Sequence, residues 1–294
     1  MKQNDWKNLG NYFWFKNKKI FYIDKGKGDI VLLIHGFPTS SYDFNKVFKK
    51  LVLDFRVITL DMLGFGFSDK PLNENYSIFL QAEIYTYFFN FLKLDQFHIL
   101  CHDYGVTVTQ EILKQNEETL KPKILSVCFL NGGLFPETHR PRLIQKLLLS
   151  PIGFILSIFI SKRSFIKSFS EIFGEKTKPS LEELSQYWEI IQYKKGYLLS
   201  HKHITYIKER IQNRERWVSA LQNSIPKRLI NGPADPISGR HMAVRYQELI
   251  QNADVVFLND FIGHYPQVED SESVLKYYYE FINSIKSRNK EELL

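Results

Sequence analysis

The chain of 294 residues is 44% hydrophobic and 24% charged, contains 15 Gly and 11 Pro, and carries a formal net charge of +7. That composition excludes a disordered chain, a collagen-like repeat and a disulfide-stapled miniprotein, and the length allows one large α/β domain with a sizeable core. The excess cations are concentrated in residues 162–217, where twelve Lys or Arg face seven Glu. They are scattered at helical spacing, as on a solvated helix face, and no zinc-finger, RNP or helix-turn-helix signature accompanies them, so nucleic acid is not an expected partner.

In chain order, residues 1–19 are polar and aromatic and lack the apolar core of a secretion signal. Residues 12–15 and 19–24 read as an antiparallel pair closed by Lys25-Gly26-Lys27-Gly28. The run Ile30-Val31-Leu32-Leu33-Ile34 is continuously apolar, the pattern of a strand buried on both faces. Helical spacing over 41–54 is followed by a strand at 57–60, a helix at 77–93, a strand at 97–101, a helix at 105–117 and a strand at 124–130. No strong strand signal then occurs until 228–230, after which come a helix at 239–251, a strand at 255–258 and a helix at 272–286.

Alternating strands and helices predict an α/β fold with a mostly parallel central sheet and helices on both faces. Its core comprises residues 1–135 and 226–294, interrupted by a helical cap over 136–225 that would cover the ligand-binding C-terminal edge of the sheet. Inside this insertion, the uncharged run Leu147–Ser161 is broken by Pro151 and Gly153 and is shorter than the roughly 20 apolar residues of a membrane span. It reads as a buried or cleft-lining helix, with peripheral membrane contact as the alternative. Cys101 and Cys128 fall within predicted central strands and are expected to be free thiols in a reducing compartment. With no targeting signal recognised, the expected location is cytoplasmic. The sequence leaves the oligomeric state open.

Functional residues of such a sheet belong where strands end. Three strand ends carry Cys101-His102-Asp103-Tyr104-Gly105, Asn231-Gly232-Pro233-Ala234-Asp235 and Ile262-Gly263-His264-Tyr265-Pro266. Asp103, Asp235 and His264 therefore occur in the order nucleophile, acid, base, at a sharp strand-to-helix turn and two later strand ends. An Asp at a helix start is often only a cap, and an Asp before Pro often only initiates a turn. All three at strand ends in this order point to a catalytic triad. His35 and His102 read as structural.

An aspartate nucleophile implies different chemistry from a serine. It is already ionised near neutral pH and can attack a saturated carbon that bears a leaving group, giving an alkyl ester. His264, oriented by Asp235, would then activate the water that hydrolyses the ester. Backbone N–H groups of Phe37 and Tyr104 are the candidate oxyanion hole.

The segments His35-Gly36-Phe37-Pro38-Thr39-Ser40-Ser41, Gly64-Phe65-Gly66-Phe67-Ser68-Asp69-Lys70-Pro71 and His102-Asp103-Tyr104-Gly105 resemble the epoxide hydrolase and haloalkane dehalogenase branch of the α/β hydrolases. The runs Asn131–Pro141 and His264–Asp270 are similar to the mesoderm-specific transcript group and its bacterial relatives. The resemblance implies an α/β-hydrolase fold and an aspartate-nucleophile hydrolase. Haloalkane dehalogenases commonly place Trp after the nucleophile and Asn after His-Gly; here those positions hold Tyr104 and Phe37. A cap Trp, Trp217 or Trp188, could still cradle halide. Epoxide hydrolases use cap tyrosines to protonate the epoxide oxygen, and Tyr206 stands close to the family position, ahead of Tyr187 and Tyr193. The expectation is an epoxide hydrolase acting on an apolar small molecule, with dehalogenation or a non-catalytic binding role on the same fold as alternatives. No metal or organic cofactor is expected, since His and Cys do not cluster at ligand spacing and no phosphate loop occurs.

Overall fold

Continuous β-branched and aromatic runs form the centre of the sheet, as strands covered on both faces require. The computed structural model describes residues 1–291, and side chains through residue 288. The strands are β1 (Asn11–Phe15), β2 (Lys18–Lys25), β3 (Ile30–Ile34), β4 (Arg56–Leu60), β5 (Gln96–His102), β6 (Lys123–Leu130), β7 (Lys227–Asn231) and β8 (Asp254–Phe257). Among the described residues they form one eight-stranded sheet in the order β1-β2-β4-β3-β5-β6-β7-β8. β2 pairs antiparallel with both β1 and β4, and every other pairing is parallel.

Helices α1 (Gln3–Leu9), α2 (Asn45–Asp54), α3 (Ile78–Leu92) and α4 (Tyr104–Thr119) precede β6. Between β6 and β7 lie α5 (Leu143–Leu148), α6 (Gly153–Ile158), α7 (Lys162–Ser170), α8 (Leu181–Gln192), α9 (Ser200–His203), α10 (Tyr206–Gln212) and α11 (Arg214–Ser219). α12 (Arg240–Leu249), α13 (Pro266–Glu269) and α14 (Ser271–Glu291) follow β7. The two faces of the sheet make two cores, and the pleat decides which residue enters which. Leu32 and Ile34 pack with residues of α3, α4 and α12, while Val31 and Leu33 pack with residues of α2, α8 and α14.

Helix α1 was not foreseen. It closes one end of the second core by burying Trp6 completely, with the indole N–H donating to Ser41 Oγ at 3.1 Å. The run Leu147–Ser161 was expected to be a buried or cleft-lining helix; Leu148 and Ile160 do line a cavity, but most of the run is not buried. Pro151 and Gly153 divide it between the end of α5 and the whole of α6, and Ile152, Phe154, Ile155, Ile158 and Phe159 are exposed. A helix packed on one side only must leave the rest of an all-apolar circumference in solvent. Cys101 and Cys128 are both free and buried. Among the described residues, no helix is long and apolar enough to cross a membrane.

Helix α4 starts directly against β3, and Gly105 is what permits this approach. A Cβ on Gly105 would sit 2.4 Å from the Ile34 carbonyl oxygen and 2.6 Å from that of His35. Because both obstacles are main-chain carbonyls at the end of β3, Gly105→Ala is expected to cost about 2–4 kcal/mol through overpacking. The check is the denaturant midpoint, which should fall at unchanged slope.

Candidate active site

Asp103 joins β5 to α4 with φ +47° and ψ −109°, a conformation that L-residues avoid. The strained corner is held by the backbone: Asp103 N–H donates to the Asn131 carbonyl at 2.8 Å, and the Asp103 carbonyl accepts from Val106 N–H at 3.1 Å. The corner lifts the buried carboxylate off the sheet edge. Its Oδ2 accepts from Phe37 N–H at 3.0 Å, and its Oδ1 lies 3.7 Å from His264 Nε2. Tyr104 begins α4, so its backbone N–H has no intrahelical acceptor.

On its other side, His264 Nδ1–H donates to Asp235 Oδ2 at 2.7 Å, which leaves Nε2 facing Asp103. Asp235 is itself saturated with donors. Its Oδ2 also accepts from Ser238 Oγ at 2.7 Å and Asn131 Nδ2 at 2.9 Å, and its Oδ1 accepts from Ile237 N–H at 2.7 Å. Burial works against ionisation of Asp235, but the charge and hydrogen bond of His264, helped by Asn131 and Ser238, hold it well below the usual carboxylate range. Burial likewise opposes the imidazolium of His264. The Asp235 carboxylate and then the Asp103 charge outweigh it and raise the histidine to about 9. The three side chains thus meet in one buried cluster, with His264 between Asp235 and Asp103.

The histidine loop has its own mounting. His102 Nε2–H donates to the His264 carbonyl at 2.7 Å, and His264 N–H donates to the Ile172 carbonyl at 2.9 Å. Glu269 accepts from Gly263 N–H and Tyr265 N–H in the loop, and from Gly174 N–H and Thr177 Oγ1 in the segment between β6 and β7. His35 is structural too, as its Nε2 accepts from Met62 N–H at 3.0 Å. Asn131, Ser238 and Glu269 escaped the sequence reading. Asn131 and Glu269 lie in runs singled out only for their resemblance, and a polar residue three positions from Asp235, as Ser238 is, carries no local mark.

A cavity of about 220 Å³ opens onto Asp103 and His264. Phe37, Pro38 and Ile237 wall it on the sheet side, and Leu148, Phe165 and Phe169 on the helical side, so the lining is mostly apolar. The tyrosine in this wall is Tyr197. Tyr206 does not line the cavity but is buried behind Phe37, which does: its ring lies edge-on to Tyr104 at 5.1 Å and 6.0 Å from Phe37. Burial first, and then the charge of Asp103, push the Tyr206 phenol up, so its proton is retained. Arg210, another residue the sequence did not single out, places its guanidinium 4.4 Å over the Tyr206 ring. It donates to Thr107 Oγ1 at 2.7 Å and to the Asp103 carbonyl at 3.4 Å, tying α10 to the elbow.

Trp217 is not brought to the cavity. Its indole N–H donates to the buried carboxylate of Glu111 at 2.8 Å, which Arg216 also holds. Trp188 stacks on Tyr197 at 5.7 Å and does not line the cavity either. Trp217→Phe is therefore expected to leave turnover within about twofold while costing about 1–2 kcal/mol, the penalty for one buried acceptor losing a donor. Paired urea melts and kcat/KM measurements separate the two effects.

A profile of the alpha/beta hydrolase fold family matches residues 29–271. The mesoderm-specific transcript homolog protein of Bos taurus is 44% identical over 96% of this chain and 88% of its own length. Haloalkane dehalogenase 2 of Mycobacterium bovis is 26% identical over 59% of each chain. Among solved structures, the haloalkane dehalogenase DbeA from Bradyrhizobium elkani superposes with a TM-score of 0.78 at 17% identity, covering 95% of this chain and 99% of that one.

Proposed function

This chain belongs to the α/β-hydrolase fold family, and from that premise we propose that it is a hydrolase working through an aspartyl ester, with an epoxide as its substrate and a diol as its product. The observation that carries the reading is the Asp103 carboxylate itself. One oxygen is held in the backbone N–H of Phe37, and the other is free towards His264 at the floor of an apolar cavity.

In this reading Asp103 Oδ1 attacks an epoxide carbon, the C–O bond breaks, and the Tyr206 hydroxyl protonates the departing oxygen. Asp103 Oδ2 becomes the ester carbonyl oxygen and already sits where an oxyanion will need donors. Esterification removes the negative charge of Asp103, which is one of the groups raising His264. The imidazolium therefore releases its proton to solvent more readily, leaving the neutral imidazole that must accept a proton from water. The hydroxide adds to the ester carbonyl, Phe37 N–H and Tyr104 N–H hold the oxyanion, and collapse expels the diol, which takes the proton from His264. The carboxylic acid left on Asp103 gives up its proton through solvent to restore the tyrosine.

The epoxide reading is favoured over halide release because, among the described residues, the cavity wall holds a tyrosine, Tyr197, and no tryptophan. Dehalogenation remains the second reading on the strength of the partial likeness to a haloalkane dehalogenase. Tyr206→Phe is expected to slow ester formation by about 10²–10³-fold, the usual effect of removing one transition-state donor. Single-turnover quench measurements would read that rate.

The experiment that tests the function is intact-mass analysis of His264→Gln incubated with a panel of epoxides and bromoalkanes. An adduct of one whole epoxide on Asp103 supports epoxide opening. An alkyl adduct without halogen moves the assignment to dehalogenation, and no adduct from any compound counts against an aspartyl ester.

A further inference from the structure

The residues left outside both cores on α5 and α6 are too large and too concentrated to pass as ordinary surface. Leu143, Ile152, Phe154, Ile155, Ile158 and Phe159 are each between 48% and 76% exposed. Together they present roughly 600 Å² of apolar area, at or above the largest patch a typical soluble monomer shows. The two helices pack on each other, so these side chains project from one protruding pair.

The charge around this ridge is of one sign. From Arg140 to Ser170 there are six cations, Arg140, Arg142, Lys146, Lys162, Arg163 and Lys167, and no Asp or Glu. Among the described residues only Arg142 of the six is ion-paired, with Glu171, and the other five are exposed. A large apolar ridge inside an unbalanced cationic collar is complementary to a bilayer with anionic headgroups: the apolar side chains enter the acyl boundary and the cations meet the phosphates. A neutral membrane would leave the cations unused, and a purely acidic soluble partner would leave the apolar ridge unused.

The ridge also adjoins the cavity. Ile144 is 37% exposed on α5 and lines the cavity, and Leu148 one turn on lines it fully buried. We propose that α5 and α6 are an interfacial anchor that seats this protein on an anionic lipid surface, with the cavity entrance on the lipid side. Substrates that partition into the bilayer then reach Asp103 without crossing water. This last step rests on the hydrolase reading above; the anchoring does not.

Vesicle flotation of the full chain tests the anchor without recourse to activity. Wild type should float with vesicles of 70:30 phosphatidylcholine and phosphatidylglycerol at 0.1 M salt. Its partition coefficient should fall at least tenfold on pure phosphatidylcholine, at 0.5 M salt, and in Lys162→Glu/Arg163→Glu. Phe154→Glu/Phe159→Glu should abolish flotation while its melting temperature, dominated by the two cores, stays unchanged. Failure of wild type to float, or floating that ignores lipid charge and salt, overturns the proposal. So does a lipid-free dimer that Phe154→Glu/Phe159→Glu converts to monomer, since the ridge would then belong to a second copy. The same variants should retain turnover of a water-soluble substrate. Loss of flotation with turnover intact separates the anchor from the hydrolase reading.

Discussion

Asp103→Ala is expected to lower turnover by 10⁴-fold or more and to remove every covalent adduct seen in the His264→Gln background. The size follows from the roles the residue combines. It supplies the attacking oxygen, carries the ester through the second half-reaction and provides the oxygen that Phe37 N–H stabilises. A water attacking the substrate directly, with His264 as base, would leave a residual rate and no adduct. The fold should tolerate the change. The carboxylate makes one backbone hydrogen bond and one 3.7 Å approach to histidine, and the corner is held by the main-chain bonds of Asp103 with Asn131 and Val106. Alanine at φ +47° adds about 1 kcal/mol of strain. A variant that keeps full diol formation would sink the aspartyl-ester mechanism, and circular dichroism guards against misreading an unfolded sample.

Asp235→Asn is expected to lower turnover by about 10³–10⁴-fold, because an amide no longer fixes the imidazole tautomer that points its lone pair at water. It should also change how stability depends on pH. His264 is held at about 9 in the folded chain, above its unfolded value of about 6.5. A group raised on folding contributes stability that is complete below the unfolded pKa and is lost as pH climbs through the folded one. For this histidine the contribution is on the order of 3 kcal/mol, lost between about pH 6.5 and 9. Asp235 is depressed on folding, so its contribution is present above about pH 4 and disappears only in acid. Wild type should therefore be less stable at pH 9 than at pH 6, and Asp235→Asn should flatten that slope. Urea unfolding of both proteins at the two pH values gives the comparison. Equal slopes would mean that Asp235 does not govern the charge on His264.

The strands and the main crossover helices were legible because burial on both faces leaves a continuous apolar run, and because Gly and Pro punctuate their ends. β3 was read to the residue, and β6 and α4 to within one or two at each end. Asp103, Asp235 and His264 were legible for a related reason: parallel topology sends strand ends to one edge, so residues far apart in sequence could be expected together. What stayed hidden depends on direction in space. Nothing local distinguishes an apolar helix facing inward from one facing outward, and so Phe154 and Phe159 were misplaced. Trp217 has the right chemistry for a halide donor, but Glu111 and not the cavity lies at the end of its N–H. Trp6 sits in a polar stretch too short for periodicity to mark the helix that buries it.

Glu269 gives the molecule a constraint on its history and on its redesign. One carboxylate fastens the loop of His264 and the stretch around Gly174 and Thr177 to each other. Exchanging the helical insertion for one from a relative would pull out half of that fastening, and the loop of His264 would lose its footing even with Asp103, Asp235 and His264 all retained. A working chimaera must transplant residues 172–177 and 263–269 together. Change in the shape of the cavity, by contrast, is free to proceed through α5 and α7, which line it without holding the loop of His264.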